Sequence, residues 1–425
     1  MKIKRLLCLA LVPMIVLMSS CSGGKENQAV TQSTEAEIDY SGTILKVNDR
    51  TAGTDFSTGV GQLNYQSLFM DTDIKFRSTN YSMDETRLKL LAGDSDIDIY
   101  IISASEIPSF IENGFYTPFE SEVIDEYISQ CHEMLQEYSY IDGKAAFVPV
   151  LLSIPAILIP KSAIEETGVK YSDIEYLDGY LEFARSYEGE RIAYTGSTLL
   201  FSFLQEQYEL YYCDIENKDV DFETPLYMHI YEEIWGGWQD PRGGIGATIG
   251  FEHNLTGDYS NNSEKALCTF GSYSSAENFT DKRLNTDPNV YMTSGSTDFF
   301  EKWRAFPIPK ISEDVISAIG GGTYALINPY SENKEAALKV LELLASDYFK
   351  YTGNTLSGFM YEDKSMYPES YHPDSEIFND FLNIIDDNTT MAYYTFSVQR
   401  LDIDDYQAGK LTLEEAVAEY QRQVD

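Results

Sequence analysis

Residues 82–102 read Ser82-Met83-Asp84-Glu85-Thr86-Arg87-Leu88-Lys89-Leu90-Leu91-Ala92-Gly93-Asp94-Ser95-Asp96-Ile97-Asp98-Ile99-Tyr100-Ile101-Ile102, and the fold turns on them. Ser82 with Glu85 three residues later is a capping box, so a helix begins here. It runs through Leu88, Leu90 and Leu91 and stops at Gly93. Ile97, Ile99 and Ile101 then alternate, which predicts a strand from Asp96 to Ile102.

Working outward, Thr43 to Val47 and Ile74 to Phe76 read as two earlier strands. On the other side, Ser105 is placed to cap a short helix with Ile107, Phe110 and Ile111 inward, ending at Asn113-Gly114. Strand and helix alternating at this spacing imply βαβ units and a largely parallel sheet, an α/β fold. Ala145 to Ile159 is the longest apolar run after the leader, but Pro149 and Pro155 interrupt it and Pro160 closes it. Prolines at that density argue against a membrane helix. Two buried extended segments with a bend, crossing from one sheet to another, fit instead. Helices follow at Lys161 to Thr167, stopped by Gly168, at Leu177 to Tyr187, between Thr195 and Tyr212, and at Pro225 to Ile234. Trp235 and Trp238 stand at the end of the last, before the glycine-rich loop from Gly236 to Gly250. Trp303 to Ile308 and Tyr324 to Ile327 read as strands, and Ser331 to Ala345 as a helix with Ala337, Val340, Leu341 and Leu344 on one face. Thr412 and Glu415 form a second capping box, which starts a terminal helix.

The chain begins with a basic n-region, Lys2, Lys4 and Arg5, and an apolar run from Leu6 to Met18, closed by Ser19 and Ser20. That is the build of a secretory signal, and it is short for a membrane span. Cys21 follows the small residues, and Met18-Ser19-Ser20-Cys21 resembles a bacterial lipobox with Met18 where leucine is usual. Residues 1–20 are thus expected to be a lipoprotein signal peptide, with Cys21 acylated; the alternative is an ordinary cleaved signal with an incidental cysteine. Residues 21–40 are polar and aperiodic, a flexible tether.

The 425 residues carry 69 Asp and Glu against 30 Lys and Arg, a net charge of −39. Such a field repels nucleic acid and anionic lipid heads, so neither is an expected partner. Cys131, Cys213 and Cys268 are widely spaced, which fits buried thiols better than a disulfide framework. The 32 tyrosines serve either ring faces for sugars or partners, or a core with a wet edge.

Motifs for chemistry mostly fail. Asp94, Asp96 and Asp98 alternate like a calcium loop, but Ile99 stands where glycine is needed, so a solvated strand entrance is expected. Ser331 and Lys334 match a penicillin-binding nucleophile only in spacing and are better explained by a helix cap. Gly244, Gly246 and Gly250 miss the dinucleotide fingerprint. His132, His229, His253 and His372 share no ligand spacing. No catalytic set, metal site or cofactor is expected.

Several segments, in order, resemble the extracellular solute-binding proteins of ABC importers, family 1, which includes maltose-binding protein. They are Leu91-Ala92-Gly93-Asp94 with Asp96-Ile97-Asp98-Ile99; Ile107 to Phe119 with Gly114 and Pro118; Ile141-Asp142-Gly143-Lys144 before Phe147-Val148-Pro149; Ala266 to Tyr273; Trp303 to Pro309 with Gly320 to Ala345; and Tyr406 to Val417 with Gly409-Lys410 and Glu414-Glu415-Ala416. Ile159-Pro160 departs from the family's Tyr-Asn at that place. The resemblance implies a two-lobe periplasmic-binding-protein-like fold with a hinge and a ligand cleft between the lobes. It implies a first lobe of residues 40–150 plus 311–350 and a second of 151–310 plus 351–425.

The implied function is capture of a carbohydrate, an oligosaccharide above all, and its delivery to a membrane permease. The protein would be a monomeric binding protein held to the cell membrane by lipid and facing outward. Tyr273, two residues after Gly271, falls where the family places a stacking ring; core packing is the competing role. Trp235 and Trp238 fit exposed rings beside a glycine-rich loop, or a cap on the lobe. Ser103 and Ser105 follow the third strand at its carboxyl end, where α/β sheets bind ligands. Gly321, Gly322 and Tyr324 would face the cleft from the first lobe, or form a tight turn. Tyr393 and Tyr394 are a weaker pair. A surface receptor or sensor, a binder of peptide, polyamine or metal complex, and a surface glycoside hydrolase remain as rival readings.

Overall fold

The computed structural model describes residues 40–49, 63–194, 197–213, 220–235, 263–264, 266–272, 297–316, 318–352, 359–391, 405–406 and 409–424. Tyr40–Asp425 forms one compact unit. Its strands, in chain order, are β1 (Ile44–Asn48), β2 (Lys75–Thr79), β3 (Ile99–Ser103), β4 (Tyr140–Ile141), β5 (Lys144–Ala145), β6 (Val148–Ser153), β7 (Pro155–Pro160), β8 (Ile192–Tyr194), β9 (Ala266–Ser272), β10 (Trp303–Phe306), β11 (Ala318–Ile327) and β12 (Thr389–Met391).

They build two principal sheets. The first has the order β12-β11-β3-β1-β2, with β6 also on β11; the second has the order β10-β7-β9-β8. β1 runs parallel to β2 and β3, and the long β11 returns antiparallel to β3 and β6. β4 and β5 form a small separate hairpin.

Local signals set these elements. Ser82 caps helix Met83–Leu91 in the expected capping box, with Ser82 N–H on the Glu85 carboxylate and Glu85 N–H on Ser82 Oγ. Gly114 and Gly168 end their helices in the left-handed region, which costs glycine no Cβ clash. Thr412 and Glu415 form the second box at helix Leu413–Val424.

The proline-rich run behaves as its sequence predicts. Val148–Ser153 lies in the first sheet, Pro155–Pro160 in the second, and buried Ile154 is the bend between them. Pro149 cannot donate to the ladder, and the β6–β11 register slips there, Thr323 facing Leu151 and Tyr324 facing Pro149. The carbonyls at this irregularity are met from the core: Tyr127 Oη donates to Pro149 O and Tyr348 Oη to Val150 O, each at 2.8 Å.

Two buried clusters form the core. The larger fills the first sheet and extends to Ala156, Leu158, Trp303 and Ala305 on one face of the second. The smaller, aromatic one holds Ile157, Ile159, Phe201, Tyr227, Tyr231, Trp235 and Tyr420. The C-terminal stretch is divided between them, Phe359 to Ile385 in the larger and Ala416 to Tyr420 in the smaller.

Three local expectations are corrected. Asp98 is 3% exposed rather than solvated: it accepts from Lys46 N–H at 2.8 Å, Ser331 Oγ at 2.6 Å and Asn333 Nδ2 at 3.1 Å. Ser331 therefore serves Asp98, while Asn333 occupies the N-cap position of helix Lys334–Ser346. Cys131 and Cys268 are buried thiols, pushed up to about 12 by burial, but Cys213 is only half-buried.

Candidate ligand-binding site

β3 ends at Ser103, whose N–H donates to the Glu106 carboxylate at 2.9 Å and whose Oγ lies 2.8 Å from Ser105 Oγ. Ser105 is thus inside a single tight turn, Ala104–Glu106, and does not cap the helix that follows at Ile107–Asn113. Both serines are half-buried. Strand pairing extends this hydroxyl pair along the sheet: Ser103 faces Thr323, Leu152 faces Gly322, and Ser153 faces Gly321. Gly321 is exposed, and among the described residues a Cβ built there would meet only Ser153 O, at 3.9 Å. Backbone at Gly321 is therefore open to a close approach.

The chain leaves the first sheet at the same place. After Ile154, Pro155 pairs with Ser272 and Ala156 with Gly271. Ser103, Thr323, Gly321, Ser153 and Gly271 thus follow one another around the point where β6 becomes β7. Hydroxyls and open backbone lie together where the two sheets are joined at Ile154.

No protein-family model matches the sequence, and no curated protein does. Solved structures match nearly end to end. A solute-binding protein of an ABC transporter from Agrobacterium radiobacter K84, in complex with ribitol, superposes with a TM-score of 0.65 at 13% identity, over 91% of this chain and 99% of that one. Maltose-bound MalE3 of T. maritima gives 0.63 at 14% identity, over 90% and 99%. A solute-binding protein from Thermotoga lettingae TMO, bound with alpha-D-tagatose, gives 0.61 at 14%, over 90% and 98%. The fold is that of a two-lobe solute-binding protein.

The first sheet and the second are joined at Ile154, where β6 becomes β7. The structure brings Ser103, Ser105, Gly321, Gly322 and Gly271 to that crossing. It places Tyr324 and Trp235 elsewhere. Tyr324 is wholly buried in the larger core and donates to Leu135 O at 3.2 Å. Trp235 is 1% exposed, its ring edge-on to Phe201 at 5.4 Å, and its Nε1 has no partner among the described residues. Tyr273, Trp238, Tyr393, Tyr394 and Cys21 lie outside the described residues.

Two polar residues at the crossing escaped the sequence reading, Ser153 and Thr323. Ser153 ends a strand just before Ile154-Pro155, a position that a strand-end rule would have flagged. Asp49, which follows β1 at its carboxyl end, also went unflagged: it is buried and accepts from Tyr65 Oη at 2.9 Å. Burial first, and Asp49 second, push that phenol well above its usual range. A shallow depression of about 260 Å³ beside Leu177, His229 and Ile311 contains none of the residues at the crossing. Among the described residues no helix is long and apolar enough to cross a membrane.

Proposed function

We propose that this protein is a lipid-anchored, extracellular substrate-binding protein of an ABC importer, which captures an oligosaccharide by lobe closure and passes it to a permease. The observation that carries the reading is the convergence of Ser103, Ser105, Thr323 and Ser153 with the open backbone of Gly321 at the interlobe crossing. Sugars need hydrogen-bonding groups for hydroxyls and flat rings for their C–H faces. The serines and threonine supply the first. Tyr273, two residues beyond Gly271 on the chain leaving β9, supplies the second. Ribitol, tagatose and maltose in proteins of the same fold are all polyhydroxylated, which supports this class of ligand.

Binding is the whole task of such a protein; hydrolysis of ATP belongs to a partner subunit, and no chemistry on the sugar is assigned to this chain. Ligand shifts the lobes toward closure only by contacting both of them better in the closed state. Cys21, behind its basic and apolar leader, supplies the membrane anchor, and acylation there leaves the two lobes outside the cell.

Thermal unfolding of the purified protein against a panel of oligosaccharides, monosaccharides, peptides and cations tests the reading. A true ligand at a hundred times its dissociation constant stabilises the fold by about 2.7 kcal/mol. A shift confined to one carbohydrate class supports the proposal. A shift only with a peptide or ion replaces the cargo, and none at all removes the importer reading.

A further inference from the structure

Exposed apolar side chains gather at one end of the first sheet. Among the described residues eleven large hydrophobics are exposed, and six of them, Ile44, Phe69, Met70, Leu88, Leu91 and Tyr330, lie around the amino ends of β1, β2 and β3. Ile44 opens β1 beside Lys75, which opens β2. Phe69 and Met70 stand in the last turn of helix Tyr65–Thr72, which leads into β2. Leu88 and Leu91, each 67% exposed, end helix Met83–Leu91, which leads into β3 and buries Thr86 and Leu90 instead. Tyr330 follows β11, which finishes here with Ile327 opposite Ile99. The Tyr330 ring lies 3.9 Å from where a Cβ on Gly93 would stand, and Asn328 Nδ2 ties the two turns together by donating to Asp94 O and Ile97 O at 3.0 and 2.6 Å. One exposed leucine is ordinary; a concentration of them at one end marks a contact surface.

Two further observations say what covers it. The chain carries a net charge of −39, yet the carboxylates among these turns are matched. Asp94 pairs with Lys89 at 2.7 Å, Asp96 with Lys46, and Asp71 with Lys350 at 2.8 Å, while exposed Lys75 offsets exposed Asp73. The described chain also enters at this end. Tyr40 O accepts from Thr43 N–H at 3.0 Å and Thr43 O from Lys75 N–H at 2.9 Å, which fixes the entry beside Ile44. Cys21 lies nineteen residues before Tyr40. A lipid on Cys21 is therefore attached to this end of the sheet, through at most about 65 Å of extended chain.

We infer that the amino end of the first sheet rests on the lipid bilayer, with these apolar side chains at the boundary between headgroups and acyl chains. The inference rests on the reading of Cys21 as a membrane anchor and not on the identity of the solute. A lipid anchor confines this end near the bilayer, so a contact too weak to hold a free protein becomes an intramolecular one. Locally balanced charge lets that contact form on a zwitterionic surface, although the chain as a whole is strongly acidic. The consequence is orientation. β3 and β11 extend from this end to Ser103 and Gly321, so the candidate site stands at the far ends of the same strands, turned away from the membrane.

Amide hydrogen exchange on vesicles tests this without any sugar. The chain from Cys21 onward, which contains the compact unit Tyr40–Asp425, is made without acyl groups and with Cys213→Ser. It is coupled through the Cys21 thiol to a maleimide lipid in phosphatidylcholine vesicles; Cys131 and Cys268 are buried and do not compete. Relative to the uncoupled chain, exchange is expected to slow in residues 66–75, 88–97 and 328–333 and to stay unchanged in the helix Leu177–Ser186. Leu88→Gln with Leu91→Gln, both at exposed positions, should abolish the slowing in residues 88–97 and leave the urea midpoint of the free chain at its parent value. No slowing on coupling overturns the inference, and so does equal slowing in the double variant. Slowing that appears without vesicles as the protein concentration rises also overturns it, because a second copy then covers the surface. Because the coupling is chemical, absence of acylation in the cell, or failure of every sugar to bind, removes the importer reading and leaves this result standing.

Discussion

Gly321 of β11 lies opposite Ser153 of β6, and among the described residues only the Ser153 carbonyl comes within 4 Å of where a Cβ would stand, at 3.9 Å. A side chain at this position therefore meets no packed neighbour among the described residues, beside the point where β6 passes into β7. Gly321→Leu is expected to change the stability of the free protein by less than about 1 kcal/mol. It should weaken ligand binding at least about tenfold, a loss of about 1.4 kcal/mol. Denaturant unfolding and a binding titration on the same variant separate the two. Equal losses in both would place Gly321 in the packing and not in the cleft.

His132 is 4% exposed, and its Nε2 has no partner among the described residues. Burial lowers its proton affinity below the ordinary 6.5, against an opposing pull from Glu362 and Asp386. The unfolded chain thus binds the proton more readily than the folded one. The stability gained by keeping the ring neutral is present above pH 6.5 and is lost as pH falls from there through the folded value. His132→Gln is expected to flatten that part of the stability profile, measured by urea unfolding between neutral and mildly acidic pH. A parallel profile in the variant would assign the acid sensitivity to other groups.

Asp98 ties β1 to the segment that enters helix Lys334–Ser346, through Lys46 N–H, Ser331 Oγ and Asn333 Nδ2. Asp98→Ala leaves those buried donors unpaired and is expected to cost about 2–4 kcal/mol. Ser331→Ala removes one donor and should cost about 1 kcal/mol. Thermal or urea unfolding reads both; a loss below that of Ser331→Ala would contradict the network.

This network also marks a boundary of what the sequence can tell. Ser82 with Glu85, Gly114 and Gly168 act on backbone within a few residues, so the helices they bound were legible. The crossing between Val148 and Pro160 was legible because prolines forbid a long helix there. Asp98 and Ser331 were misread because their partnership spans 233 residues, and local pattern suggests a wet turn and a helix cap instead. Trp235 belongs to a similar case: its place among Phe201, Tyr231 and Tyr420 depends on three separate helices meeting. Of the candidate site, Ser103 and Ser105 were singled out by their place after β3 and the glycines through the family resemblance, whereas Ser153 and Thr323 gain their position only from the pairing of β6 and β11.

Tyrosine abundance resolves in part into structure. Tyr127 and Tyr348 are buried, their rings stack at 6.1 Å, and their hydroxyls cover the Pro149 and Val150 carbonyls where β6 slips register. Tyr127→Phe and Tyr348→Phe are each expected to cost about 1 kcal/mol, since each exposes a buried acceptor without opening a cavity. Because the rings touch, the double variant should depart from the sum of the two, read in a double-mutant cycle. Strict additivity with negligible single losses would mean that the carbonyls are satisfied in another way.

The claim that sugar is bound at the interlobe crossing is tested most directly by calorimetric titration of the purified protein with the carbohydrate that best stabilises it, beside Ser103→Ala, Ser153→Ala and Tyr273→Ala. The account predicts saturable one-to-one binding to the parent, weakened by about 1–3 kcal/mol in each variant whose hydroxyl or ring contacts the sugar. Undiminished binding in all three variants, or no saturable heat with any carbohydrate, would contradict it.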